Sequence, residues 1–326
     1  QGRGTLGGVG GVSYQVLSRS TGRRETRRVD LPVVEWPVET VVYVVDRLNY
    51  RIQKFDSSGN FLLKWGGEGT GDSQFVSPYG MAVDAAGNVF VTDAGTCYIK
   101  KFDANGNFLS KWGGVNGSGD GEFRELNDIA IDGAGNVYVT DNSYDYCLIQ
   151  KFDSSGNFLL KWGGGGSGDS QFNGPPTIAS DAAGNVYVAD YGNHQLKKFD
   201  ANGNFLSKWG DNAFVHPSMC GVNDVYVTHN DNDDYHCRAL QFNAGGDLVK
   251  TLVLRGTEEE AEDDDDYINP VSIAVDASGN LYVVDSKHCV RKFDQNGGHL
   301  LKWGGEGVGD GQFLYPKGVA CFPRPF

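Results

Sequence analysis

Short runs of alternating apolar and polar residues fill the chain from residue 41 onward, separated by glycine-rich turns. Runs such as residues 42–46 and 137–141 combine β-branched and aromatic residues with a period of about two, which is typical of half-buried β-strands. The turns at residues 56–60 and 103–107 place a glycine and Asx side chains between two such runs. This turn chemistry predicts antiparallel hairpins, and the pattern as a whole predicts an all-β protein.

The strands belong to a repeated unit whose most regular part is the segment 54–66. Close copies of it begin at Lys101, Lys151, Lys198, Gln241 and Lys292, so that successive starts are 47, 50, 47, 43 and 51 residues apart. This spacing is the period of propeller blades. Each unit holds a strand that ends in Asp, one that ends in Lys-Phe-Asp, one that ends in Lys-Trp-Gly, and a fourth strand before a Gly-Asn pair. One repeat array therefore accounts for nearly all of the chain.

Two segments of the array resemble a known family, namely Asp46-Arg-Leu-Asn-Tyr-Arg-Ile-Gln-Lys-Phe-Asp56 and Gly309-Asp-Gly-Gln-Phe-Leu-Tyr-Pro-Lys-Gly-Val319. They are similar to the NHL-repeat family of six-bladed β-propellers, and the resemblance covers residues 41–322. It implies four-stranded antiparallel blades, with a C-terminal strand at 318–322 that closes the first blade, begun at Val41. Closure removes two open sheet edges. In the alternative, residues 31–40 take that inner position and leave the C-terminal strand to pair with another molecule.

Two sets of residues recur at one position in nearly every blade, and we interpret both as packing or turn capping, because an asymmetric site needs only one copy. The tryptophans are Trp65, Trp112, Trp162, Trp209 and Trp303, and the aspartates are Asp46, Asp93, Asp141, Asp190 and Asp285.

Charge divides the chain into a basic start and an acidic body. The net charge is −14, with about +4 on residues 1–32 and about −18 on the rest. An acidic body repels phosphates, so we expect no nucleic-acid partner. No apolar run approaches the length of a membrane span, and the start at Gln1 without Met leads us to expect a secreted protein whose leader has been removed.

Cysteine usage leads to the same expectation of an extracellular or cell-surface location. The six cysteines form no C-x-x-C pair, and their even number fits an oxidising compartment. We expect a disulfide between Cys220 and Cys237, because both lie in one blade. The sequon at Asn116 falls in an interblade loop, where a glycan would be tolerated.

Blade five departs from the repeat at several points. His229 replaces the strand-end Asp, and the segment 254–256 stands in for Lys-Trp-Gly. Two acidic loops, at residues 229–236 and 257–266, emerge on one face of an up-and-down blade. Oxygen ligands at this density suit Ca²⁺, although the spacing is not that of an EF-hand, and the alternative is a solvated acidic loop. The candidate ligands are Asp231, Asp233, Asp234, Asp263, Asp264 and Asp265.

Four histidines, His194, His229, His236 and His288, fall on loops of that same face. Three converging imidazoles would make a zinc site, and some propellers related to that family are zinc-dependent lyases or calcium-dependent lactonases. Those enzymes hold their metal around the central channel, whereas these histidines fall at the starts of third strands, farther out. No Ser-His-Asp pattern is recognisable, and we expect no enzyme activity.

Residues 1–40 match no blade, and we expect an extended basic arm followed by the propeller at 41–326. The leading hypothesis is a non-enzymatic protein that assembles head-to-tail, in a filament, with the arm of one subunit on the next propeller. A monomeric propeller that binds a protein, a cation or a glycan through blade five is the alternative. A metal-dependent lyase or lactonase is the third possibility. The arm residues expected at the contact are Val12, Tyr14, Val16, Arg19, Arg23, Arg24, Arg27, Arg28, Val33 and Trp36.

Overall fold

The computed structural model describes residues 11–17, 24–30, 39–143, 146–174, 177–210, 219–221, 224–230, 237–255 and 268–324. The chain forms two compact units, one of residues 1–38 with 325–326 and the other of Glu39–Arg324. In the first unit, strands β1 (Gly11–Leu17) and β2 (Arg24–Asp30) pair antiparallel in a sheet of two strands. This part of the arm is therefore a paired hairpin.

The second unit consists of six antiparallel sheets of four strands each, and it is the six-bladed β-propeller that the sequence predicts. Blade one contains β3 (Glu39–Asp46), β4 (Arg51–Asp56) and β5 (Phe61–Gly66), and blade two contains β6 (Pro78–Val83), β7 (Val89–Asp93), β8 (Tyr98–Phe102) and β9 (Phe108–Gly113). Blade three contains β10 (Leu126–Ile131), β11 (Val137–Ser143), β12 (Tyr146–Phe152) and β13 (Phe158–Gly163). Blade four contains β14 (Thr177–Ser180), β15 (Val186–Asp190), β16 (Gln195–Phe199) and β17 (Phe205–Trp209). Blade five contains β18 (Met219–Gly221), β19 (Val225–Asn230), β20 (Cys237–Phe242) and β21 (Leu248–Leu254). Blade six contains β22 (Pro270–Val275), β23 (Leu281–Asp285), β24 (Cys289–Phe293) and β25 (His299–Gly304).

The C-terminal strand β26 (Pro316–Arg324) closes the ring. It pairs antiparallel with β3, with Val319 opposite Val44 and Phe322 opposite Val41. The inner position of blade one is thus filled from the far end of the chain, which confirms the closure that the resemblance implies. No helix in the described part of the chain has both the length and the apolar character needed to cross a bilayer.

The Asx-Gly turns form as the sequence predicts. In the turn after β6, Asp84 Oδ1 accepts hydrogen bonds from the backbone N–H groups of Ala86 and Asn88, both at 2.9 Å. The Asn88 amide donates to Asp84 Oδ2 at 2.8 Å, and Gly87 takes a φ of +83°, which a glycine adopts without strain. Because the side chains satisfy the backbone groups of the turn, each hairpin is held tightly closed.

The core lies between neighbouring blades. The tryptophan of one blade lies against the turn glycine of the next, so that a Cβ added to Gly106 would come 2.7 Å from the Trp65 ring. The indole N–H groups of these tryptophans are buried without a hydrogen-bond partner, which fits a packing role. The same contact recurs for the pairs Trp112–Gly156, Trp162–Gly203, Trp209–Gly246 and Trp303–Gly59.

Blade five fits the repeat differently from the sequence alignment above. In blade one Trp65 pairs with Ile52, and at the equivalent place in blade five Leu252 pairs with Ala239. A Cβ at Gly297 of the next blade would meet Leu252 Cβ at 3.4 Å. Leu252 therefore occupies the tryptophan position, and the alignment through residues 254–256 was wrong by three residues.

Candidate functional site

The loops on one face of the propeller come from two sources: the crossovers between blades, such as residues 67–77, 114–125 and 305–315, and the loops between second and third strands. We call this side the crossover face. Backbone hydrogen bonds link the two kinds of loop, as between Leu48 N–H and Leu314 O at 3.0 Å and between Ala94 N–H and Ser77 O at 2.9 Å. The loops of this face are thus joined to one another and anchored at the ends of the strands.

The recurring strand-end aspartates brace this face and are buried. Asp93 Oδ1 accepts from the backbone N–H of Ser77 at 2.7 Å, and Asp46 Oδ1 accepts from that of Leu314 at 2.7 Å. Each carboxylate therefore fixes the crossover that enters its own blade. Asp141, Asp190 and Asp285 make the same bond to Glu125, Asn173 and Asn269.

Most of these carboxylates also have a buried cation as a partner. Lys197 Nζ lies 2.8 Å from Asp190 Oδ2 and also donates to the carbonyl of Gly168 at 2.9 Å. Arg51, Lys100 and Arg291 pair in the same way with Asp46, Asp93 and Asp285. In blade three the neutral Gln150 takes the place of the cation, and burial raises the pKa of Asp141. The recurring aspartates are structural, in agreement with the interpretation from the sequence.

A cavity of about 330 Å³ runs along the propeller axis. The innermost strands line it, with residues that include Met81, Asp128, Ile178, Ser272, Gly318 and Val319. Near one end stand Asp84, Asp132 and Asp181, whose carboxylates close the turns between first and second strands. Most of the remaining lining is aliphatic, so that polar chemistry in the cavity rests on few groups.

Asp128 lines the cavity and bonds to backbone groups of two blades. Its Oδ1 accepts from the backbone N–H of Ile129 at 2.9 Å, and its Oδ2 accepts from that of Ile178, in the next blade, at 3.1 Å. Loss of hydration raises the pKa of Asp128 to about 6, although both hydrogen bonds act in the opposite direction. Ser272 makes the same cross-blade bond to Val319 N–H at 3.2 Å, so the position serves to join blades.

Two of the histidines considered from the sequence occupy a turn position. His194 and His288 follow the strand-end Asp and have φ values of +52° and +63°, and Tyr50 and Cys97 take the same conformation at the same point of their blades. His288 Nδ1 accepts the backbone N–H of Tyr315 at 3.0 Å. Among the residues whose side chains are described, no three His, Cys, Asp or Glu residues come together in a way that could hold a metal ion.

The predicted disulfide is wrong. Cys237 is a free thiol, as are Cys97 and Cys289. Cys220 pairs with Tyr226 on the neighbouring strand, whereas Cys237, one strand farther, pairs with Asn230. With strands about 4.8 Å apart and about 3.3 Å per residue, two strands and four residues of offset exceed the reach of a disulfide.

The other predicted site residues are distributed as follows. Val12, Tyr14 and Val16 belong to β1 and Arg24, Arg27 and Arg28 to β2, with Tyr14 paired to Arg27. The side chain of Asn116 is exposed, and its glycosylation stays a prediction. Outside the described residues lie Arg19, Arg23, Val33, Trp36 and the calcium candidates Asp231, Asp233, Asp234, Asp263, Asp264 and Asp265.

The sequence reasoning missed a group of three side chains on the crossover face, next to Gly318 of the cavity lining. Arg47 lies 5.4 Å from the ring centroid of Tyr79, and Lys317 Nζ lies 5.4 Å from the same centroid. All three are partly buried. The available signal was that none of the three recurs at its position in the other described blades.

Comparison with known proteins places the fold. The model of the family described as NHL repeat matches residues 172–199, in blade four. A protein of unknown function from Bacteroides caccae is 15% identical, and the alignment covers 86% of this chain and 98% of that one with a TM-score of 0.59. A streptogramin B lyase is 16% identical, with 84% of this chain and 83% of that one covered and a TM-score of 0.51.

At these identities the similarity to solved structures shows the fold alone. Among the curated proteins no match was found. The family match, the six sheets and the closing strand lead to one conclusion: the chain carries an NHL repeat within a six-bladed β-propeller.

Proposed function

We propose that the chain is a non-enzymatic, extracellular interaction protein that associates with copies of itself through its basic N-terminal hairpin, β1–β2. The observation that carries the proposal is that this hairpin is a sheet of two strands only, while residues 39–324 complete all six blades. An isolated hairpin is marginally stable in water and gains from a third strand or a packing surface. Its outer edges offer backbone groups for pairing with another molecule.

Charge supports a second copy of the chain as the partner. Residues 1–32 carry about +4 and the remainder about −18. The crossover face displays exposed carboxylates at Asp72, Asp120, Asp169 and Asp310, each paired with an outer-strand lysine. Exposed pairs of this kind contribute about 0–1 kcal/mol, so an arriving arginine exchanges for the lysine at little cost. A contact between hairpin and crossover face is heterologous, and it propagates into a filament unless the rotation closes.

The non-enzymatic part of the proposal is supported by the structural hydrogen bonds and ion pairs of the repeated carboxylates. The strand-end aspartates hold crossover backbone and buried cations, and the turn aspartates hold Asx turns. These groups are committed to the fold in nearly every blade.

The test is the particle mass and shape of the full chain at low and moderate salt, measured by light scattering and electron microscopy. We expect salt-sensitive polymers, because the contact is electrostatic. The triple variant Arg24→Gln, Arg27→Gln, Arg28→Gln should be monomeric. The matched control, Lys101→Gln, Lys198→Gln, Lys250→Gln, removes the same charge from turn contacts on the opposite side of the propeller and should still polymerise.

Two outcomes would contradict the proposal. If the wild-type chain keeps the monomer mass of 35.3 kDa at low salt, it does not self-associate and the proposal fails. Equal loss of polymers in the hairpin variant and the lysine control would show a dependence on net charge and not on the hairpin.

A further inference from the structure

Arg47, Tyr79 and Lys317 meet on the crossover face although they lie far apart in the sequence. Arg47 begins the turn Arg47–Asn49 after β3, Tyr79 is the second residue of β6, and Lys317 is the second residue of β26. Both cationic groups lie 5.4 Å from the centre of the tyrosine ring, within the range of cation–π contacts. Closure of the ring by β26 is what brings the lysine to this place.

The positions of the three residues vary from blade to blade. Where blade one has Arg47 after its strand-end Asp, blades two and six have Ala94 and Ser286. The position of Tyr79 and Lys317 on the inner strand is held by Asn127 in blade three and Val271 in blade six. Residues that serve the fold recur around the ring, as the strand-end aspartates do, whereas these three positions vary and can therefore serve a site that is present in one copy.

The two cations have no anionic partner among the described residues. Arg47 donates from Nε and Nη2 to Ser77 Oγ at 3.3 and 3.2 Å, and Lys317 has its contact with the tyrosine ring. Burial and the positive charge of Arg47 lower the pKa of Lys317. Two like charges held together at a half-buried place repel each other, and an anion bound between them would remove this cost.

The backbone is shaped to hold this arrangement. A Cβ at Gly318 would lie 3.0 Å from the carbonyl oxygen of Tyr79, so the glycine after Lys317 allows β26 to approach β6 closely. Gly318 also lines the axial cavity of about 330 Å³. Lys317 is therefore the direct neighbour of a residue that lines the cavity, and the cavity has room for a small molecule.

We propose that Arg47, Lys317 and Tyr79 form a binding site for an oxyanion, the carboxylate or phosphate group of a small ligand whose body enters the axial cavity. Guanidinium and ammonium groups are the side chains that bind such groups most strongly. Burial and the nearby carboxylates Asp128 and Glu125 raise the pKa of Tyr79, so its hydroxyl stays protonated and can donate to the ligand.

Thermal unfolding at constant ionic strength tests the site, with inorganic phosphate and acetate as the probes. A ligand that binds only the folded state raises the Tm of the protein as the site fills. We expect a saturable rise for the wild type with at least one probe. Whichever probe gives the larger rise identifies the phosphate or the carboxylate as the preferred group. In Lys317→Met and in Arg47→Gln the affinity should fall at least tenfold.

Lys64→Met is the matched control, because Lys64 belongs to an exposed ion pair with Asp310 in the same blade and should leave the affinity unchanged. Without any probe, Lys317→Met should unfold at the same or a higher temperature than the wild type, since it removes a like charge beside Arg47. The inference is overturned if neither probe gives a saturable rise, or if all variants respond like the wild type, which would be a general salt effect.

Discussion

Asp128 and Ser272 occupy the same inner-strand position in blades three and six, and both accept a backbone N–H across a blade boundary. A hydroxyl does this without charge, whereas the carboxylate must lose much of its hydration when it ionises. Loss of hydration accordingly raises the pKa of Asp128 from an ordinary 3.8 to about 6. One residue of the cavity wall thus makes the stability of the fold depend on pH.

Replacing Asp128 by Asn should remove this dependence. Between pH 4 and pH 6 the folded protein keeps the proton of Asp128 while the unfolded chain has lost it, so wild-type stability falls as pH rises through this range. Relative to Asp128→Asn, the wild type should lose up to about 1.4 kcal/mol per pH unit. Urea denaturation of both proteins at several pH values measures the difference.

Ser272→Ala provides the control for that experiment, because it removes the same kind of cross-blade bond without removing a titrating group. Its stability should differ from the wild type by a constant amount over the same pH range. Parallel curves for wild type and Asp128→Asn would show that Asp128 titrates normally in the folded protein.

At the scale of the blade, neighbouring sheets hold together through one repeated contact, the tryptophan of one blade on the turn glycine of the next. The glycine is required twice over, because its φ is positive and because the indole ring leaves no room for a side chain. Gly106 has a φ of +79° and lies under Trp65, while Gly135 has a φ of +83° and its nearest neighbour would be Ser154 Cβ at 3.6 Å. Gly106 is therefore subject to both requirements, whereas Gly135 is subject only to that of a positive φ.

Gly106→Ala should therefore destabilise the protein more than Gly135→Ala. Both variants bear the strain of a left-handed alanine, about 1–2 kcal/mol. Gly106→Ala also forces the methyl group into the Trp65 ring, and such overpacking costs about a further 1–3 kcal/mol. Equilibrium denaturation of the two variants gives the difference directly, and equal losses would mean that the tryptophan moves aside freely.

Local patterns predict the blades well because strands and Asx turns depend on residues close in sequence. The period-two runs, the turn at Asp84 and the structural role of the strand-end aspartates could all be predicted from the repeat. Blade five shows the limit. Without its tryptophan the outer strand could not be aligned by motif, and Leu252 was identified only through its pairing with Ala239.

Features that depend on distance across the fold were harder to predict. Cys220 and Cys237 share a blade, yet their register keeps them apart, and register is not visible in cysteine spacing. The meeting of Arg47, Tyr79 and Lys317 depends on ring closure and on the close approach at Gly318. The sequence shows only that the positions of all three vary from blade to blade, and the structure is needed to show that the three residues lie together.

For the whole propeller, closure depends on one strand. β26 completes blade one beside β3 and also packs against the inner strands β22 and β6 of the neighbouring blades. The buried residues Val319 and Ala320 belong to the cores on its two sides. Without β26, the inner edge of β3 and the apolar faces of two blades would be open to water.

Deleting residues 316–326 should therefore abolish cooperative unfolding of the propeller and promote aggregation through the open edge. At a salt concentration at which the full chain is monomeric, deleting residues 1–38 should leave the Tm of the propeller unchanged, because every blade is complete from Glu39 onward. Scanning calorimetry of the two truncated proteins provides the comparison.

If the C-terminal deletion kept the wild-type Tm, residues 31–40 would have to be filling the inner position in place of β26. A double deletion would then lose that stability, and the closure by β26 would be one of two interchangeable arrangements.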